Sequence, residues 1–300
     1  MQKLHLGAAQ CALDLGDGSE RAEYVNQDYI LHKLGRPHRA IGIMYTYYPH
    51  DKQWPQRISK ACKDMNITFQ WDYPYDDYFP FNADGQPWEQ MRDIRRHGQD
   101  AALTLTLDCS LSDDELREVA RMLRPYGRMT IRINHECGGT WFTHNKRFTY
   151  EQVGKFFAHF SDIIHQEAPN VRTVFCAGFA QADGKLEKED EFAVAYRAAD
   201  VWSADCYLAL HYGWPYDVAE VGGGQYKADS VGMYYDMFRR TYERASSQFG
   251  AKPLVTAEFN TDGDVTGPCH QGESVIRFAK AFRDHQADWF KAISLYQFRD

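Results

Sequence analysis

Short apolar runs of strand length alternate along this chain with longer segments in which apolar residues recur every three or four positions. That alternation constrains the fold most, because strands buried on both faces need a parallel sheet covered by helices. Strand-like runs are read at 3–9 (KLHLGAA), 40–48 (AIGIMYTYY), 67–73 (ITFQWDY), 128–135 (RMTIRINH), 171–178 (VRTVFCAG), 200–207 (DVWSADCY), 253–259 (PLVTAEF) and 292–298 (AISLYQF). Eight such runs predict an α/β fold, a (β/α)8 TIM barrel. The 300 residues suit a single catalytic domain over 1–300, since such barrels commonly run to about 250 residues or more as one unit. A ninth run, AALTLTLD at 101–108, also alternates and is read as an extra extended segment in the crossing between strands three and four. No helical segment follows the eighth run, so the last helix is expected to be lacking or replaced, with room for a C-terminal continuation such as an appended carbohydrate-binding or β-sandwich domain.

Two helices announce their starts. Ser112-Asp-Asp-Glu115 and Thr149-Tyr-Glu-Gln152 both match the capping box, in which each end's side chain satisfies the other's free backbone N–H. After the second, Val153, Phe156, Phe157, Phe160, Ile163 and Ile164 form a stripe that should pack on the sheet. GKLEKEDE at 184–191 is read as a solvated charge run, and GGGQY at 222–226 lacks the spacing and the Lys-Ser/Thr of a phosphate loop.

The formal net charge of −8, with no concentration of Lys and Arg, excludes a nucleic-acid partner. No window reaches the ~20 apolar residues of a membrane span. The 7 cysteines form no C-x-x-C pair, so no zinc cluster or other metal site is expected and no cofactor is called for. Scattered through apolar runs, they fit reduced, buried thiols in the cytoplasm; a secreted chain whose signal peptide has been removed is the other localisation kept open.

The stretch RINHECGGTWF, 132–142, sets His135 beside Glu136 at the end of the fourth apolar run, then turns through two glycines to Trp141. VTAEFN, 255–260, closes the seventh with Glu258. In a barrel of this kind reactive residues gather at the C-terminal ends of the strands. A carboxylate ending an apolar run is costly to bury unless something pairs with it. Two carboxyl groups held across the barrel mouth are what glycosidic bond cleavage requires, one to protonate the leaving oxygen and the other to attack the anomeric carbon or activate water.

RINHECGGTWF resembles the acid/base segment of glycoside hydrolase family 26, a member of the clan A (β/α)8 glycosidases. ITFQWDYPYDDY, WSADCY and KPLVTAEFN resemble further segments of that clan, in order. The resemblance implies a β-mannanase-like retaining hydrolase with Glu136 as general acid/base and Glu258 as nucleophile. It implies that His135 positions one of these carboxylates, that Tyr207 hydrogen-bonds the nucleophile and that Trp141 stacks on a sugar ring. Arg132 and Tyr207 would hold Glu258 ionised, and the flank of Trp141 would raise the pKa of Glu136. Trp71, Tyr73, His211, Trp214 and Tyr296 are further candidates to line the substrate. Family members usually carry Asn where this chain has Gly138 or Gly139, Gly where it has Asn260, and Trp at the end of strand eight where it has Tyr296 and Gln297. The expected partner is an oligo- or polysaccharide, β-mannan first. Two other readings stay beside it: a non-catalytic glycan-binding barrel, and a metal-dependent hydrolase on the same scaffold, for which His5 supplies only half of the usual H-x-H pair.

Overall fold

A computed structural model describes residues 12–15, 27–35, 38–50, 86–139, 147–208, 210–212, 218–220, 230–260 and 268–295. Eight parallel strands close into a barrel: β1 (Ala12–Leu15), β2 (Ala40–Tyr47), β3 (Asp100–Leu107), β4 (Met129–Ile133), β5 (Val171–Phe179), β6 (Val201–Tyr207), β7 (Leu254–Asn260) and β8 (Phe290–Leu295). Chain neighbours are barrel neighbours, and β8 returns to β1 through Ala12↔Ala292 to Leu15↔Leu295. The helices between them are α1 (Gln27–Leu34), α2 (Gln86–Arg96), α3 (Asp113–Leu123), α4 (Tyr150–Glu167), α5 (Ala193–Ala198), α6 (Ser230–Phe249) and α7 (Pro268–Asp284). This is the (β/α)8 architecture that the alternation predicts. A short antiparallel pair, Leu210–Tyr212 with Val218–Glu220, stands apart from the barrel after β6.

Two strands differ from the reading of the sequence. Strand one is ALDL at 12–15 rather than 3–9; periodicity does not choose between adjacent apolar runs, whereas pairing with both β8 and β2 does. Residues 3–9 lie outside the described residues. The segment at 101–108 is no spare extension but barrel strand three. It pairs with β2 over eight residues, Ala40↔Asp100 to Tyr47↔Leu107, so nothing stands between them and the third strand of the barrel is this one, not the run read at 67–73. That segment falls in the crossing before α2, outside the described residues. Both corrections share one cause: an apolar alternating run can end up anywhere a half-buried surface exists, and only ladder register assigns it.

Both capping boxes form. Ser112 and Glu115 close α3, and Thr149 and Gln152 close α4. The predicted stripe of α4 is buried throughout. Its Phe157 meets Phe175 of β5 edge to face at 4.7 Å, and Phe175 in turn meets Phe192 at 5.2 Å and Tyr196 at 4.8 Å. Aromatic pairs at these separations favour such edge contacts. A second aromatic cluster, Phe238, Phe278, Phe282 and Phe290, ties α6 and α7 to β8. These packed outer layers fix the strand ends on which the polar centre is built.

The run 184–191 is not simply solvated. Glu189 is buried and bonded by Arg244, Nη2 to Oε1 at 2.5 Å, while Glu187 accepts from the Phe179 backbone N–H at 3.0 Å. Charge density alone hides which members of such a run turn inward. GGGQY lies outside the described residues.

Candidate active site

β4 stops at Ile133, and the next three residues change direction. Asn134 (φ 59°) and Glu136 (φ 43°) both take left-handed backbone, a conformation that costs a non-glycine residue about 1–3 kcal/mol and persists only where its surroundings enforce it. Here they do. Asn134 donates its N–H to Leu105 O at 3.0 Å, and its Oδ1 accepts from Leu107 N at 2.7 Å. His135 N donates to Thr106 Oγ1 at 3.2 Å. The chain then leaves β3 for β5, with Cys137 N on Cys176 O at 3.2 Å and Gly138 N on Ala177 O at 2.6 Å. A Cβ on Gly138 would lie 2.6 Å from that carbonyl, which explains why a residue with a side chain cannot replace it in this backbone. The turn aims His135 and Glu136 at the barrel axis just beyond the strand ends.

Glu258 sits inside β7, two residues before its end, with its side chain on the axis. Arg132 Nη1 donates to its Oε1, and His135 Nε2 lies 2.5 Å from the same oxygen. Tyr207 of β6 donates its hydroxyl to Oε2 at 2.9 Å. The other arm of Arg132, Nη2, reaches Asp205 Oδ2 at 2.6 Å and Cys176 Sγ at 3.3 Å. Asp205 Oδ1 accepts the Glu258 backbone N–H at 3.2 Å. Arg132, His135, Glu136, Asp205 and Glu258 are all buried. One oxygen each of Glu136 and Glu258 and a nitrogen of His135 lie within 4.8 Å of one another.

Burial raises the pKa of any carboxyl group, so the direction of each shift depends on what opposes it. At Glu258 burial is outweighed by His135, set against its Oε1, and by the charge and hydrogen bond of Arg132, which together hold it well below the usual carboxylate range. At Glu136 burial acts together with the charges of Glu258 and Asp205, against Arg132 alone, and pushes it well above that range. Asp205 moves up as well, through burial and the charge of Glu258. His135 moves down: burial exceeds the pull of Glu258, which favours a neutral ring. Arg132 stays charged, because Asp205 and Glu258 more than offset its own burial.

Five of the residues singled out from sequence are thus brought together: Arg132, His135, Glu136, Tyr207 and Glu258. Trp71, Tyr73, Trp141, Trp214 and Tyr296 lie outside the described residues. His211 belongs to the short antiparallel pair after β6. Asp205 and Cys176 were missed. Asp205 stands between Ser203 and Tyr207 at a two-residue step, so its inward direction was written in the strand period; Cys176 carries no such signal.

The three convergent donors His135, Glu136 and Glu258 equal a first shell in number. They suit a metal poorly, because the oxygen of Glu258 facing His135 already accepts from the Arg132 guanidinium.

A GH26 β-mannanase from Bacteroides ovatus superposes with a TM-score of 0.57 at 10% identity, over 96% of this chain and 81% of that one. This chain has their fold. A glucosidase from Croceicoccus marinus gives 0.61 at 10% identity, over 98% of this chain and 61% of that one. The GH53 catalytic domain from Ignisphaera aggregans gives 0.51 at 12% identity, over 96% and 80%. No family model matches the sequence, and no curated protein matches it. Among the described residues no helix is long and apolar enough to cross a membrane.

Proposed function

We propose that this chain is a retaining β-glycoside hydrolase, with Glu258 as nucleophile and Glu136 as general acid/base. The observation that carries the reading is a pair of buried glutamates, from β7 and from the turn after β4, converging within 4.8 Å with ionisation pushed in opposite directions. Two carboxyl groups set about 5–5.5 Å apart suit double displacement, whereas inversion needs roughly 6.5–9.5 Å to admit a water between them. An ionised Glu258 oxygen attacks the anomeric carbon as the glycosidic C–O bond breaks, and Glu136 gives its proton to the leaving oxygen. A glycosyl ester on Glu258 results. Glu136, now ionised, then takes a proton from a water that attacks the same carbon and releases Glu258. Arg132, His135 and Tyr207 orient Glu258 and hold it ionised before attack and after its release.

The substrate class proposed is a β-linked glycan or its oligosaccharides. β-Mannan comes first, from the His-Glu…Trp segment and from a fold neighbour that is a β-mannanase. Glu258→Ala should abolish release of reducing sugar from mannan, xylan or β-glucan, and added azide should restore turnover as a glycosyl azide. Full activity in that variant would remove the reading. Abolition of wild-type turnover by EDTA would instead favour the metal-dependent alternative, whose donors would be His135, Glu136 and Glu258.

A further inference from the structure

Among the described residues four large hydrophobic side chains are exposed, and three of them, Val194, Met233 and Ile276, lie on outer helices. The fourth, Phe179, is 38% exposed at the C-terminal end of β5. How it comes to be there is informative. Along β5, Phe175 points to the helices, where it meets Phe157, Phe192 and Tyr196. Its neighbour Cys176 points to the axis, where Sγ touches Arg132 and Asp205. Continued by twos, the alternation would return residue 179 to the helices.

It does not, because the ladder with β6 slips. Cys176 is in register with Ser203, and Phe179 with Asp205, so β5 takes three steps where β6 takes two. One extra residue reverses the facing of everything after it, and bulges of this kind re-aim side chains beside functional sites. Phe179 therefore shares the axial side with Asp205. Within the slip, Gly178 has φ 148°, and a Cβ there would fall 2.1 Å from Glu187 Oε2. That carboxylate accepts the Phe179 N–H at 3.0 Å, and Gln181 Nε2 donates to the Phe179 carbonyl at 3.1 Å. The backbone of Phe179 is thus clamped on both sides while its ring stays open. The ring centroid lies 6.2 Å from that of Tyr207, whose hydroxyl holds Glu258.

A packing role would bury this ring; instead a bulge, a glycine and a carboxylate hold it open on the side of Tyr207, whose hydroxyl bonds Glu258. We propose that Phe179 is a stacking platform for a pyranose ring of the substrate, on the β5–β6 side of the mouth. A flat aromatic face offers apolar area at a fixed angle, and it matches the C–H face of a sugar while the sugar's hydroxyls stay hydrated or bonded elsewhere. This inference rests on the glycosidase reading and names one of its binding residues.

The test compares Phe179→Ala, Phe179→Leu and Phe179→Trp with wild type on whichever of mannan, xylan and β-glucan the wild type cleaves fastest. Ala and Leu should each lower kcat/KM by about tenfold, roughly 1.4 kcal/mol, chiefly through KM. Thermal midpoints should be unchanged, and Trp should stay within about threefold of wild type. Retention by Leu would show that apolar bulk suffices and would overturn stacking. A lowered thermal midpoint with unchanged KM would overturn it too, making Phe179 a cover for Tyr207. Retardation of the same variants in gels cast with the three polysaccharides supplies an arm independent of turnover; equal retardation of wild type and Phe179→Ala overturns the proposal. Failure of the glycosidase reading shows separately, as turnover that survives Glu258→Ala.

Discussion

Arg132→Met tests the electrostatic core of the site. The guanidinium is 3% exposed and lies between two carboxylates, Asp205 and Glu258, whose side chains are 0% and 4% exposed. Methionine keeps much of the length and removes the only arginine of the cluster. Stripping one partner from a buried ion pair costs about 3–5 kcal/mol, because a desolvated charge is left behind. At about 1.4 kcal/mol per tenfold, ionised Glu258 loses a hundred- to several-thousand-fold of its advantage over the protonated form. Two consequences follow with opposite signs in pH. In the wild type the depressed Glu258 pKa contributes stability that is present above the unfolded value and lost as pH falls through the folded one. The variant lacks that contribution, so its deficit in thermal midpoint should be large at neutral pH and shrink on acidification. Its kcat/KM should behave the other way. The acid limb, which on the proposed mechanism reports ionisation of Glu258, should move upward, leaving activity that recovers as pH rises. Arg132→Lys retains a charge but cannot bond both carboxylates in one fork, so it should fall between the two. Melting curves and pH–rate profiles on an aryl β-glycoside read both effects. A deficit in midpoint that is the same at every pH, with an unmoved acid limb, would refute the reasoning and reduce Arg132 to filler.

Two further outcomes are expected. Gly138→Ala places a methyl group 2.6 Å from the Ala177 carbonyl, and relieving it must displace the turn that carries Glu136; overpacking of this kind costs about 1–3 kcal/mol, so melting should drop and kcat fall at least about tenfold. Thr149→Ala removes the capping box of α4, whose bonds run between Thr149 and Gln152 and touch neither paired glutamate; urea unfolding should show a loss of about 1 kcal/mol while kcat and KM stay at wild-type values.

The parts of this protein legible in its sequence are those written by a local rule. A capping box needs only residues three apart, so Ser112–Glu115 and Thr149–Gln152 could be read directly, as could the stripe from Val153 to Ile164. The barrel class followed from repetition of one unit. What failed was the choice among equivalent runs: 3–9 against 12–15, and 67–73 against 101–108, because pairing partners decide it and they are remote in the chain. In the site, His135, Glu136 and Glu258 stood out as polar residues at the ends of apolar runs, and Arg132 and Tyr207 came with the segments they belong to. Phe179 could not be found that way. Strict alternation assigns it to the helix side beside Phe175, and only the slipped register between β5 and β6 turns it to the axis. Glu187 was hidden for a related reason, since nothing in GKLEKEDE tells which carboxylate folds back against Gly178.

The division of labour between the two glutamates cannot come from burial, for they are 7% and 3% exposed. It comes from how donors are distributed. Three carboxyl groups, Glu136, Asp205 and Glu258, surround one guanidinium among the described residues, and His135 is driven toward its neutral form, so full ionisation would leave an excess of negative charge on buried groups. Such a cluster must hold protons somewhere. Glu258 has Arg132, His135 and Tyr207 about its two oxygens, whereas among the described residues no side chain donates to the carboxyl of Glu136. The proton therefore goes to the group with least compensation, and that group sits on the turn beyond β4, outermost of the three. Strain at Glu136 has its place in the same logic: φ 43° carries the carboxyl past the strand ends and away from Arg132, where a regular continuation of β4 would have returned it to the donors that keep Glu258 charged.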